Sequence, residues 1–272
     1  MAVWKEYDIT PDNFSNVDPR VMSCVEIIIP FFGNHSGVSA LMEGIFKSVS
    51  TNRYQITLID DGSENSSFIE EINRTKIPGV VCMRHDKSQG LGAAINSVID
   101  NPKNPWIPWV LIMHSDVLVE GPNWLSSLGH SMQKLKSKGV KMVSPRTDNP
   151  GGNLNDLFDS RDIKGRDNTC EDFILPDDCY LPLYCTLCHR DLFKHIGKFK
   201  EFPLAGCEVE DFAMRMHRHN FKQAICGSSW VHHQNEGTLS KLNIKQKEIL
   251  RKTRDAFDVK MNLTKNVSVE DK

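Results

Sequence analysis

Short apolar runs alternate with amphipathic segments through the first half of the chain, and this alternation constrains the fold more than any other feature. β-Branched runs that end at Pro, Gly or Asp suit strands buried on both faces of a parallel sheet. The predicted strands are 24–30, 55–60, 79–84 and 109–113, and the predicted helices are 36–49, 66–74, 89–100 and 122–137. Four such alternations predict a doubly wound α/β sheet with right-handed crossovers.

The second half of the chain has a less regular pattern. A short strand is predicted at 140–144, and residues 146–179, rich in Asp, Asn, Gly and Arg, are predicted to be an irregular lid or binding loop. The predicted elements after it are a strand at 180–188, a short helix from Arg190, a helix at Glu210-Asp211 and a strand pair near 222–232. A charged amphipathic helix over about 241–262 is expected to pack on the domain. The predicted divisions are an N-terminal extension (1–22), one α/β domain (23–238) and a C-terminal helix and tail (239–272).

Composition argues against a nucleic-acid binding protein and against a membrane-spanning protein. A formal net charge of −2 gives no basic field for nucleic acid, and an apolar run of about 18 residues, the length that spans a bilayer, is not found in the sequence. The first residues lack the pattern of a secretory signal, so a cytoplasmic protein is expected, with peripheral attachment to a membrane left open. The eight cysteines are therefore expected to be reduced thiols. Cys185 and Cys188, the one Cys-x-x-Cys pair, would point to opposite faces of a strand.

Polar residues follow two of the predicted strands directly. Asp60-Asp61 closes the second strand and His114-Ser115-Asp116 follows the fourth. Ligands of doubly wound sheets bind beyond the carboxyl ends of the strands, although aspartates there are also common turn residues. A further acidic pair, Glu210-Asp211, begins a predicted helix, where acidic side chains also favour the positive end of the helix dipole.

The ordered set of these motifs resembles a family 2 glycosyltransferase with the GT-A fold. The matching segments, in family order, are Ile27–Asn34, Leu58–Ser63, Gly90–Asn96, His114–Val117, Arg190–Phe202, Glu210–Arg215 and His232. The resemblance implies a Rossmann-like, mostly parallel sheet flanked by helices, here with a C-terminal helical extension. It also implies a nucleoside-diphosphate sugar as donor and a glycan, lipid-linked or protein acceptor.

The resemblance assigns several positions to the donor. Asp61 would hydrogen-bond the base, since a carboxylate accepts from a uracil or guanine N–H, and Asp60 would serve the ribose. The backbone of residues 30–33, with Pro30 and Phe32, would line the base pocket. The donor site would also include Ser115.

Three further positions are assigned to the neighbourhood of the donor. The helix that opens at Gly90 would offer N–H groups to an anion, as helix N-termini do. Asn96 would lie beside the nucleotide. Arg215 would contact the diphosphate or orient Asp211, and a simple helix ion pair is an equal alternative.

The same resemblance implies a divalent cation, Mn²⁺ or Mg²⁺, at the His114-Ser115-Asp116 segment. Asp116 is the sure carboxylate, whereas His114 replaces the first acidic residue of the family's DxD motif. His232 would complete the metal shell through a ring nitrogen, and the adjacent His233 stays open as the alternative.

Catalysis would then fall to Asp211, with Glu210 as the close alternative. Transfer with inversion needs a base that takes the proton of the acceptor hydroxyl, and a carboxylate can do this. Two competing interpretations remain at this point. A nucleotidyltransferase would need a basic Gly-rich loop after the first strand, which residues 30–35 do not provide. A non-catalytic nucleotide-sugar or glycan binding protein is favoured by His114 alone.

Overall fold

The computed structural model describes residues 24–49, 54–151, 154–167, 169–202, 207–234 and 244–270, so the predicted extension 1–22 lies outside the described residues. The strands are β1 (Val25–Phe31), β2 (Tyr54–Asp60), β3 (Val80–Arg84), β4 (Trp109–Met113), β5 (Val117–Leu118), β6 (Val140–Thr147), β7 (Phe173–Ile174), β8 (Cys185–His189) and β9 (Lys222–His233). The helices are α1 (His35–Ser48), α2 (Ser67–Thr75), α3 (Leu91–Asp100), α4 (Trp124–Leu135), α5 (Leu154–Arg161), α6 (Asp191–Ile196), α7 (Glu208–Arg218) and α8 (Ile244–Glu270).

These strands form one mixed sheet in the order β3-β2-β1-β4-β8-β6-β9-β5, with β7 paired to β9. β3, β2, β1 and β4 are mutually parallel, as the alternating pattern predicts. β8 runs antiparallel between β4 and β6, and β6 is parallel to β9. The short β5 and β7 are antiparallel to β9. The mostly parallel α/β sheet is therefore confirmed, with antiparallel strands in its second half.

Two apolar clusters cover the two faces of the sheet. One packs residues of α1, α2 and α4 against it, such as Leu41, Ile69 and Leu128. The other packs α3, α5, α6 and α7, and Phe158 and Phe212 are among its largest buried side chains. Cys185 belongs to the first cluster and Cys188 to the second, so the two thiols do lie on opposite faces of β8.

The predicted irregular loop at 146–179 is partly wrong. β6 continues to Thr147, α5 occupies Leu154–Arg161, and β7 occupies Phe173–Ile174. Two apolar residues one turn apart, Leu154 and Phe158, are buried and anchor α5 in the core. The buried Arg146 donates to the carbonyls of Ile163 (3.2 Å) and Gly165 (2.7 Å), which fixes the segment after α5 against β6.

Two other boundaries also differ from the prediction. β8 begins at Cys185 rather than at residue 180, because Leu183 has a φ of +64°, which is incompatible with an extended strand. The predicted strand pair near 222–232 is one long strand, β9. Pro145 and Arg146 are consecutive on β6, but their partners on β9 are Cys226 and Trp230. The intervening residues of β9 form a bulge, and β9 continues beyond it as one strand.

Candidate functional site

The segments that follow β1 and β4 lie against each other at the carboxyl-end edge of the sheet. The Asn34 side-chain amide donates to the carbonyl (3.3 Å) and hydroxyl (3.1 Å) of Ser115, and both residues are buried. A Cβ at Gly37 would lie 2.4 Å from the Ser115 carbonyl oxygen. Only glycine at this position therefore permits the first turn of α1 to lie so close to Ser115. These contacts fix the position of the His114-Ser115-Asp116 segment.

Three potential metal ligands converge beside this segment. One ligand atom from each of His114, Asp116 and His233 lies within 4.8 Å of the others. The Asp116 Oδ1 and the His233 Nε2 are 3.4 Å apart, and the rings of His114 and His233 are 5.5 Å apart between centroids. Their spacing is compatible with a single divalent cation between them.

The orientation of His233 follows from its position at the end of β9. β5 pairs antiparallel to β9 with Val117 opposite His233, so the residue lies beside Asp116. The His233 Nδ1 is 2.7 Å from the Asn149 carbonyl, and its backbone N–H donates to Asp148 (3.0 Å). Since Nδ1–H donates to that carbonyl, Nε2 is the nitrogen that faces Asp116. A hydrogen bond from the other ring nitrogen to a backbone carbonyl is what orients a metal-binding imidazole.

His232, the residue assigned to the metal on sequence grounds, is not brought to Asp116. Side chains alternate along a strand, so His232 points to the face opposite His233. Its Nδ1 pairs with Asp148, and its ring stacks on Trp230 at 6.2 Å between centroids. The geometry therefore places His233, the alternative left open by the sequence, beside Asp116. A His-His pair in a strand signals one inward-facing ring without telling which.

The protonation of this trio fits a cation site. Burial lowers the pKa of His114 to about 4, so its imidazole is neutral at pH 7. The Nε2 of His114 is buried and has no hydrogen-bond partner among the described residues. Burial would raise the pKa of Asp116, but the contact with His233 and the two imidazoles, which carry charge in the acidic range where a carboxyl titrates, lower it overall. Burial would lower the pKa of His233, but Asp116 raises it. An anionic carboxylate beside two imidazoles, one with an unsatisfied nitrogen, suits a metal with mixed N and O ligands.

Both strand-end aspartates of β2 are buried and already bonded within the protein. Asp61 accepts from the Ser88 hydroxyl (2.7 Å), from the backbone N–H groups of Gln89 (3.0 Å) and Gly90 (2.9 Å), and contacts the His85 Nδ1 (2.7 Å). It therefore anchors the segment 85–90, and contact with a nucleobase would require an exchange of partners.

Asp60 and the other residues assigned to the donor are placed as follows. Asp60 accepts from the backbone N–H (2.9 Å) and hydroxyl (2.5 Å) of Ser63 and pairs with Arg84. Pro30 is buried within β1, and Phe32, just after β1, is half-buried. The Asn96 side chain donates to the Phe199 carbonyl (2.8 Å) and accepts from its N–H (3.1 Å). Asn96 thus ties α3 to the segment before α7, which is a structural role.

Asp211 lies in the first turn of α7 with both carboxylate oxygens in ion pairs. Oδ1 pairs with Lys200, and Oδ2 accepts from Arg215 Nε at 2.8 Å. The two terminal nitrogens of Arg215 donate to the carbonyls of Ile196 (2.5 Å) and Lys198 (2.8 Å). This i,i+4 contact fits two of the alternatives for Arg215, the orientation of Asp211 and a simple helix ion pair. Lys200 is a partner that the sequence patterns did not identify.

Glu210, the alternative base, faces the C-terminal helix instead. It accepts a hydrogen bond from the Tyr180 hydroxyl (2.9 Å) and pairs with Arg254 of α8. Burial raises the pKa of Tyr180 to about 12, and the charge of Glu210 and the hydrogen bond to it act in the same direction. Glu210 therefore joins α8 to the start of α7.

Among the helices that the structure describes, none is both long and apolar enough to cross a membrane.

Solved structures of three glycosyltransferases share this fold. A mannosyltransferase from Pyrobaculum calidifontis, in complex with GDP-Man and Mn²⁺, superposes with a TM-score of 0.60 at 13% identity, over 87% of this chain and 63% of its own. S. aureus TarS (residues 1–349) with UDP-GlcNAc gives 0.58 at 13%, over 83% and 64%. GalNAc-T7 with UDP, GalNAc and Mn²⁺ gives 0.59 at 17%, over 77% and 43%.

This chain thus spans less than two thirds of the length of each of these structures. No curated protein matches its sequence. The model of one protein family, described as glycosyl transferase family 2, matches residues 26–197, which is more than half of the chain. The match contains β1 to β4 and the His114-Ser115-Asp116 segment. The chain belongs to glycosyl transferase family 2 and has the GT-A fold.

Proposed function

We propose that the chain transfers a sugar from a nucleoside-diphosphate sugar to an acceptor hydroxyl, with inversion and with the assistance of a divalent cation. The observation that carries this proposal is the convergence of His114, Asp116 and His233 at the carboxyl-end edge of a family 2 sheet. Structures with the same fold contain GDP-Man with Mn²⁺ and UDP with Mn²⁺.

The ligand set favours one of the two cations expected from the sequence. Asp116 offers oxygen, while His114 and His233 offer nitrogen. Mg²⁺ prefers an all-oxygen shell, whereas transition metals accept imidazole, so Mn²⁺ is the better fit. When bound, the cation would neutralise the charge that grows on the leaving diphosphate.

Asp211 is the proposed base, although its two ion pairs must change for it to act. The Lys200 side chain is 55% exposed and that of Arg215 only 17%, so Lys200 is the partner that an incoming acceptor can displace. Asp211 then takes the proton of the acceptor hydroxyl while that oxygen forms a bond to the anomeric carbon. The bond from the anomeric carbon to the diphosphate oxygen breaks, and its electron pair leaves with the nucleoside diphosphate.

A second candidate is a protein that binds nucleotide sugars without transferring them. The observation that favours it is the same pair of cations on Asp211, because both carboxylate oxygens are occupied by ion pairs and neither is free to meet an acceptor hydroxyl. The two candidates share the donor site and differ in turnover.

Turnover of a panel of UDP and GDP sugars with Mn²⁺, scored by released nucleoside diphosphate, tests the proposal. We expect release by the wild type and a loss of about 100-fold or more in Asp211→Asn, with the affinity for the nucleotide unchanged. Glu210→Gln tests the alternative base and should keep far more of the rate than Asp211→Asn, because it removes only the charge that pairs with Arg254 of α8. Tight nucleotide binding by the wild type without release from any donor would establish the binding protein instead.

A further inference from the structure

A groove of about 730 Å³ separates α7 from α8, and we refer to it as the α7–α8 groove. One wall comes from α7 and the segment before it, and the other from α8. Its volume falls within the range of small-molecule sites, roughly 300–1,000 Å³. The lining residues are Lys200, Phe202, Asp211, Met214, Arg215, Arg218, Ile249, Lys252, Thr253, Ala256 and Phe257.

Specific contacts hold α8 across the groove. Arg254 pairs with Glu210 and lies 3.6 Å from the Cys207 Sγ at the start of α7. Phe257 packs edge-on against Phe202, with 6.0 Å between ring centroids. An ion pair and an aromatic pair, about one turn apart on α8, therefore hold the two walls together.

The chemistry of the lining is divided between apolar and cationic groups. The apolar part consists of Phe202, Met214, Ile249, Ala256 and Phe257. Four cations, Lys200, Arg215, Arg218 and Lys252, share the groove with a single carboxylate, that of Asp211.

These cations are not equally compensated. Lys200 and Arg215 both pair with Asp211, so one carboxylate serves two cations. Lys252 pairs with Glu248 (3.1 Å), a half-exposed residue outside the lining. Arg218 has no ion-pair partner in the part of the chain that the structure describes. The groove consequently carries an excess of positive charge above an apolar surface.

We propose that the α7–α8 groove is the acceptor site and that it takes a hydroxyl-bearing lipid phosphate, a molecule with an anionic phosphate and a free hydroxyl on its head and an apolar chain as its tail. The inference rests on the proposed function, because Asp211, the proposed base, lines the groove. The phosphate pairs with Arg218 and Lys252, and the chain lies on Phe202 and Phe257. A free phosphate would leave the apolar wall exposed to water, and an uncharged chain would leave Arg218 without an ion pair.

In this arrangement the phosphate is the binding group, and the hydroxyl that reacts at Asp211 is carried on the head of the same lipid. Lys200 connects acceptor binding with catalysis, since it lines the groove and pairs with Asp211. Entry of an anionic head gives Lys200 a second partner and so releases the carboxylate as a base. The charge pattern thus connects acceptor binding to the activation of Asp211.

Binding of farnesyl phosphate, measured by calorimetry below its critical micelle concentration, tests the proposal. We expect Arg218→Gln combined with Lys252→Gln to weaken binding by about tenfold or more, the effect expected for lost charge-assisted bonds. Arg251→Gln is the matched control, because Arg251 lies on α8 and pairs with Asp255 (2.8 Å) away from the groove. It should change the affinity by less than about twofold. Farnesol and inorganic phosphate should each bind about tenfold or more weakly than farnesyl phosphate.

Equal binding of farnesyl phosphate by the wild type and the double variant would overturn the proposal. Inorganic phosphate or an acidic peptide that binds as tightly as farnesyl phosphate would overturn it as well. The proposed function is scored separately, by nucleoside diphosphate release from donor sugars. Release without farnesyl phosphate binding removes only the lipid acceptor, whereas farnesyl phosphate binding without release from any donor removes the transferase function and with it the acceptor role of the groove.

Discussion

At the scale of single residues, the site depends on which of two adjacent histidines faces the carboxylate of Asp116. The sequence favours His232 through the family resemblance and leaves His233 open, because both lie in one strand and either ring can bind a metal. Their roles separate only through the pairing of β9 with β5, which places His233 beside Asp116 and leaves His232 on Asp148. Local patterns do not encode such long-range registers.

Substitution of each histidine in turn tests this assignment. His233→Gln should weaken Mn²⁺ binding by at least about tenfold, since loss of even an outer-shell partner of a metal site costs about that much. His232→Gln should change it by less than about threefold, because that ring contacts Asp148 and Trp230. Mn²⁺ affinity in the presence of UDP, measured by calorimetry or electron paramagnetic resonance, gives the comparison. A larger loss in His232→Gln would return the ligand role to that residue.

The strand-end aspartates show another limit of reasoning from sequence at this scale. Asp60 and Asp61 close a buried strand, which predicts a position at the carboxyl-end edge of the sheet, and they do lie there. The sequence did not show that Asp61 would be bonded to the segment 85–90, some 25 residues away. Its role in this structure is to shape that segment.

At the scale of elements, the turn after β2 is packed directly against the segment that precedes α3. Gly62 has a φ of +76°, and a Cβ there would lie 2.4 Å from the backbone of Lys87. Glycine is therefore required at this position for two reasons: the positive φ, and the lack of space for a Cβ. The contact holds the 85–90 segment, and with it the start of α3, in place.

Gly62→Ala should lower the free energy of unfolding by about 2–4 kcal/mol, from left-handed strain together with overlap against backbone that cannot move aside. Gly121→Ala separates these causes, since Gly121 has a φ of +75° and nothing within 4 Å of its added Cβ. It should cost only about 1–2 kcal/mol. Denaturant unfolding of both variants gives the comparison, and equal losses would show that the contact with Lys87 contributes nothing.

The elements of the first half could be predicted because they follow local rules. β1, β2 and β4 are buried β-branched runs, and α1 and α4 show helical apolar spacing. α5 was missed because it is short and follows a Gly- and Asn-rich turn, and only Leu154 and Phe158 mark its buried face. The start of β8 was misplaced because a positive φ at Leu183 has no signature in a non-glycine residue.

At the scale of the whole molecule, the α/β class was predictable and the order of strands was not. The antiparallel insertion of β8 between β4 and β6 joins segments far apart in the chain, and only tertiary packing selects it. The candidate site likewise depends on tertiary packing. Asn34, Asp116, Asn149 and His233 come from four separate segments, and the fold alone brings them together.

We propose that this fold builds a cation-dependent site for a nucleoside diphosphate around Asp116. Calorimetric titration of UDP and GDP with Mn²⁺, and again with EDTA, tests it most directly. We predict that at least one nucleotide binds with Mn²⁺ and that its affinity falls about tenfold or more in EDTA. We also predict a similar loss for Asp116→Asn in the presence of Mn²⁺. Binding of neither nucleotide, or equal affinity in Mn²⁺ and EDTA for wild type and Asp116→Asn alike, would contradict the account.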